Sequence, residues 1–150
     1  MSQKQEDTQQ LEELFKRTVN AREAYKNASK NVHNKPLTVF FEEAAHKHEQ
    51  FSKNLQQEIY DEGGKTEEKV SLKSEADRFW LDFASIIIQR NESAILKACA
   101  RAEEDALQQY DRVLKANIPD SVKRNVEQQR DYAKKLLQDV REKLGQYSSD

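Results

Sequence analysis

Apolar residues return every third or fourth position in long runs along the chain, and short breaks bearing proline, glycine or asparagine separate the runs. This spacing places apolar side chains on one face of an α-helix. The first run predicts a helix from about Thr8 to Val32, with Leu11, Leu14, Ala21, Tyr25, Ala28 and Val32 on one face and Thr18 filling a gap. Asn34-Lys35-Pro36 breaks it, because Asn tolerates a left-handed cap and Pro suits the first turn of a following helix. The second helix runs from about Leu37 to Asp61, with Phe40, Phe41, Ala44, Ala45, Phe51, Leu55 and Ile59 on one side, and Glu62-Gly63-Gly64 ends it. Lys65 to Lys73 carries both charge signs without an apolar period and reads as an exposed connection. A shorter helix follows from about Ser74 to Gln89, with Ala76, Phe79, Trp80, Phe83 and Ile87 on one face. Asn91 is placed as the N-cap of a helix from about Glu92 to Ala116, striped by Ile95, Cys99, Ala102, Ala106, Tyr110 and Val113. Ile118-Pro119-Asp120 then turns the chain into a last helix, about Ser121 to Leu144, facing inward with Val122, Val126, Ala133, Leu136, Leu137 and Val140.

Each long helix keeps one polar face, as helices packed side by side require. The first two helices are joined by a short break, and so are the last two, so each pair forms an antiparallel hairpin. The connection between the hairpins is long enough to recross the molecule. These features predict an all-α protein, a ferritin-like four-helix bundle with a long crossover that contains an additional short helix. Residues 8–144 form the domain, 1–7 a flexible N-terminus and 145–150 a C-terminal tail.

Composition narrows the function classes. The 150 residues hold 25 Lys+Arg against 27 Asp+Glu, a net charge of −2, so no basic excess drives nucleic-acid binding. Phe83 to Ile88 is the longest nearly apolar run and is far too short to span a membrane. The polar MSQKQEDTQQ start predicts no export signal and a cytoplasmic location. Cys99, the one cysteine, cannot form an internal disulfide and reads as a small core residue.

The candidate chemistry lies in the second helix. Glu43-x-x-His46 has the spacing of a carboxylate-bridged di-metal site, but at about 100° per residue both side chains fall off the apolar stripe and read as a solvated pair. His33 beside the first turn reads as solvated too. His48 instead falls on the inward face, and Glu103 lies inside the apolar arc of its own helix. A buried carboxylate is costly unless paired, so a partner across the core, His48 or Arg130, is expected for it. Thr18, His48, Glu103 and Gln129 or Arg130 thus make an inward polar layer. One carboxylate and one imidazole cannot hold two cations well. The layer is therefore expected to hold no cofactor, the alternative being a single iron, manganese or zinc ion.

The segments AREAYKNASKNV, VFFEEAAHKHEQFSKNLQQEI with DEGG, LKSEADRFWLDF, ARAEEDALQQYDRVL and IPDSV, in this order and spacing, resemble a bacterial ferritin-like family of small four-helix-bundle proteins catalogued as a domain of unknown function. The resemblance covers most of residues 8–144 and implies a bundle without an established reaction, in a stress-related setting. Set against metal-bearing ferritin and rubrerythrin relatives, Thr18, seven residues before Tyr25, stands where those proteins place a metal-binding Glu. His48 replaces the Glu of the second helix, and Phe51 stands in place of the His three residues on. Glu103, seven before Tyr110, matches. Glu127 is followed by Arg130 instead of His.

The expected function is that of a non-catalytic helical protein acting through self-association or protein partners. The short helix motivates this reading, because Leu81, Ala84 and Ile88 form a second apolar flank. A helix apolar on two flanks needs cover from two directions. Trp80, Leu81, Ala84 and Ile88 are the candidate homodimer surface. The alternative function is a metal-binding or redox protein with a degenerate site around His48 and Glu103.

Overall fold

A computed structural model of the chain contains five α-helices and, among the described residues, no strand: α1 (Gln3–Lys30), α2 (Lys35–Asp61), α3 (Glu75–Ile88), α4 (Glu92–Leu114) and α5 (Asp120–Ser148). The structure describes the backbone at residues 3–64, 66 and 75–148, and side chains at 6–64, 66 and 78–147. The expected connection at Lys65–Lys73 lies outside the described residues apart from Thr66, as does the side chain of Ala76.

Helix order and type follow the apolar period, and the differences lie at the ends. α1 starts at Gln3 and α5 continues to Ser148, so much of the expected flexible start and tail is helical. Gln, Lys and Glu are good helix formers, and no proline or glycine interrupts residues 3–7. Asn34 is not left-handed. It is extended (φ −70°, ψ 116°), and its side chain accepts from the Leu37 N–H as the N-cap of α2. Asn91 caps α4 in the same way, accepting from the Ala94 N–H at 3.0 Å. α2 ends in a Schellman turn: the Gly63 N–H reaches the Tyr60 carbonyl at 3.0 Å and the Gly64 N–H reaches Ile59 at 2.8 Å. Gly63 supplies the positive φ of 84° that this turn needs. Gly64 has no room for a side chain, since a Cβ there would lie 2.8 Å from Ile59 Cγ2 and from Thr8 Cγ2.

Two hydrophobic clusters build the core. One gathers Tyr25, Phe41, Trp80, Phe83, Ile95 and Leu136 with their neighbours. The other gathers Leu14, Phe15, Leu55, Ile59, Tyr110 and Val126 with theirs. Cluster membership reveals the helix directions. α1 and α5 run from the second cluster to the first, whereas α2 and α4 run from the first to the second. Neighbours joined by short turns are therefore antiparallel, and α2 and α4 point the same way. The chain between α2 and α4 must return along the molecule, and α3 packs on α1 and α4 in that return.

Candidate functional site

Between the two apolar clusters lies a polar layer. On α1 it falls at Thr18, on α2 at His48 and Ser52, on α4 at Glu103, and on α5 at Gln129, all five of them buried. The helical period carries them inward: Thr18, His48, Glu103 and Gln129 each sit three or four residues from apolar neighbours on both sides, and Ser52 lies one turn after His48 and three residues before Leu55.

Their hydrogen bonds decide what the layer can do. Thr18 gives its hydroxyl to the Leu14 carbonyl at 2.8 Å, and Ser52 gives its own to Glu49 at 2.8 Å, so both are spent within their helices. His48 Nδ1 lies 2.7 Å from the Ala44 carbonyl. A carbonyl only accepts, so Nδ1 carries the proton and Nε2 is left with its lone pair. Burial lowers the His48 pKa below its ordinary 6.5, and the nearby Glu103 charge only partly opposes this, so the ring is neutral at neutral pH. Gln129 is 1% exposed, and neither its Oε1 nor its Nε2 finds a protein partner.

Glu103 is 3% exposed, and its partner is neither of the two expected from the sequence. The Tyr25 hydroxyl donates to Glu103 Oε1 at 2.5 Å, from α1. A short hydrogen bond to an ionised oxygen is among the stronger kinds. Burial, with the carboxylate added, pushes the Tyr25 phenol well above its ordinary value, so this proton stays on the tyrosine. Arg130 turns away: its Nε donates to Asp111 Oδ1 at 2.7 Å, on the outside of the α4–α5 pair. Glu43, His46 and His33 are exposed. Cys99 is fully buried, and burial with the adjacent Glu103 charge holds its thiol protonated.

The residue that sequence reasoning missed is Arg17. Its Nη2 donates to the Ala102 carbonyl on α4, and the guanidinium lies over the Trp80 ring, 5.8 Å from the centroid. Arg17, Thr18, His48, Trp80, Glu103 and Tyr110 border a cavity of about 10 Å³, room for about one water molecule. The signal was present, since Arg17 stands three residues after Leu14 and four before Ala21, on the edge of the α1 stripe. Trp80 likewise faces the interior at 8% exposure and closes this chamber, so it does not belong to an outer surface.

The donor set does not fit a di-metal centre. It offers one carboxylate with an oxygen engaged by Tyr25, one imidazole nitrogen, a hydroxyl already given away and a neutral amide, beside a fixed guanidinium. Hard or borderline divalent cations want more anionic oxygen than this. Among the described residues no three of His, Cys, Asp and Glu come together to hold an ion.

No helix among the described residues is long and apolar enough to cross a membrane. No curated protein and no solved structure matches the chain. The family model for a domain of unknown function, DUF2383, matches residues 6–116, the span from α1 through α4 that supplies Tyr25, His48 and Glu103, and the chain belongs to that family.

Proposed function

We propose that the protein is a ferritin-like four-helix bundle of α1, α2, α4 and α5, with α3 in the crossover, and that it acts as a non-catalytic cytoplasmic protein through self-association. The parallel directions of α2 and α4 and the return of the chain past α3 support the bundle reading.

One observation carries the functional reading. The inner flank of α3, Trp80, Phe83 and Ile87, is buried, while Leu81 and Ile88 on its outer flank are 44% and 73% exposed. Two apolar side chains held this far into water on one helix favour an uncovered surface. A second copy is the occupant that the residue sizes suit. In a two-fold antiparallel pairing of α3 with α3, Leu81 meets Ile88 of the other copy twice, and the smaller Ala84 and Ser85 fall at the axis where the helices come closest. The surface is thus Leu81, Ala84 and Ile88, without Trp80. The metal or redox alternative around His48 and Glu103 is the weaker reading, because the donor set there is short of carboxylates.

Light scattering after size exclusion across a dilution series tests this. The wild type is expected to be a dimer, and Ile88→Lys should weaken it at least about tenfold, about 1.4 kcal/mol, with far-UV helicity unchanged. A wild type that is monomeric throughout the series defeats the proposal.

A further inference from the structure

We infer that Arg17 is the resident cation of the core chamber: held between the Ala102 carbonyl and the Trp80 ring, its guanidinium balances the Glu103 carboxylate and takes the place that a divalent metal ion would need. The argument begins with charge. Glu103 is buried in the polar layer between the two apolar clusters, and an ionised carboxylate there needs a compensating charge as well as a hydrogen bond. Tyr25 supplies the hydrogen bond but no charge. Tyr110, the phenol on the chamber wall, is neutral as well, and His48 is held neutral by burial. Arg17 is the permanent positive charge on the chamber wall.

Its anchoring suits that role. Ala102 immediately precedes Glu103, so the guanidinium is fixed to the same turn of α4 that presents the carboxylate. Arginine accepts such a place better than lysine would, because its planar, weakly hydrated head group stacks on an aromatic face while still donating from its edge. The influence reaches the neighbours: the Arg17 charge acts against protonation of His48 and in favour of ionisation of Tyr110, as a nearby cation should. A divalent ion entering the chamber would meet that charge and find one carboxylate, half of it already engaged.

A double-mutant cycle on Arg17→Met and Glu103→Gln tests the pairing, read as Tm by circular dichroism. In the wild-type background Glu103→Gln should lower Tm. In the Arg17→Met background the same change should leave Tm unchanged or raise it, because it removes a carboxylate that has lost its balance. If Arg17→Met alone does not fold, recovery of a cooperative transition on adding Glu103→Gln supports the pairing equally, and failure to recover overturns the inference. An equal loss of Tm in both backgrounds also overturns it. The second arm titrates the wild type and Glu103→Gln with Co²⁺, followed by visible absorption. Neither should develop a tetrahedral cobalt spectrum, and a wild-type spectrum that Glu103→Gln abolishes would show that the chamber takes a metal despite Arg17.

Discussion

Two carboxylates on α4 are each anchored by a tyrosine hydroxyl from another helix, and they behave differently. Glu103, in the middle of the helix, is buried and accepts from Tyr25 at 2.5 Å. Glu92, in the first turn, is half-exposed and accepts from Tyr147 of α5 at 2.7 Å, and from the backbone N–H groups of His33 and Asn34 at 2.9 and 3.0 Å. Glu92 thus ties the α1–α2 turn, the start of α4 and the end of α5 into one knot. Partial desolvation pushes its pKa up, but the Tyr147 hydroxyl, the two N–H groups and His33 together bring it below the ordinary 4.5. The rim knot has more partners and the core contact has fewer, yet burial makes the core contact the more costly one to break. The number of hydrogen bonds does not rank the importance of a buried charge; the absence of water does.

The largest effect is therefore expected in the core. Tyr25→Phe removes the donor and leaves the Glu103 oxygen buried and unanswered, at a cost of about 3 kcal/mol, read from urea unfolding. A loss under about 1 kcal/mol would mean that the carboxylate finds another donor and that the contrast with Glu92 fails. His48 comes next. Its folded pKa is below 6.5, so the unfolded chain takes up the proton first and stability falls as pH drops below 6.5. The loss grows at up to about 1.4 kcal/mol per pH unit until pH passes the folded pKa. An NMR titration of the ring with a midpoint at or above 6.5 would refute this. Glu92 contributes the smallest and latest loss. Its stabilisation is present above 4.5 and disappears as pH falls through the lower folded value. Glu92→Gln should cost about 1 kcal/mol at neutral pH and flatten the acid limb of the stability curve below 4.5. An unchanged acid limb would leave the rim knot without an electrostatic role.

Helix order and the inward placing of Thr18, His48, Glu103 and Gln129 were legible because a period of 3.6 is written into the local sequence. The partner of Glu103 was not. Tyr25 read as one more apolar residue of the α1 stripe, and nothing in its own segment says that its hydroxyl meets a carboxylate 78 residues away. Arg130 was drawn inward by its wheel position, but a long side chain at the edge of a stripe can turn to either side, and Asp111 offers it a hydrated partner. Arg17 turned the other way for the complementary reason, since the Trp80 ring and the Ala102 carbonyl of α4 engage it there. Trp80 itself could be assigned to the short helix, but which neighbour that helix leans on is decided by the path of the crossover.

The separation of Tyr25 and Glu103 along the chain has a kinetic consequence. Each hairpin closes through a short turn, and such local contacts form early at little loop-closure cost. The Tyr25–Glu103 bond cannot form until the crossover has brought the two hairpins together, so the carboxylate keeps its water until the final docking. Loss of the bond then registers in the rate of unfolding while the rate of folding is nearly unchanged, and the polar layer acts as the bolt thrown last and drawn first.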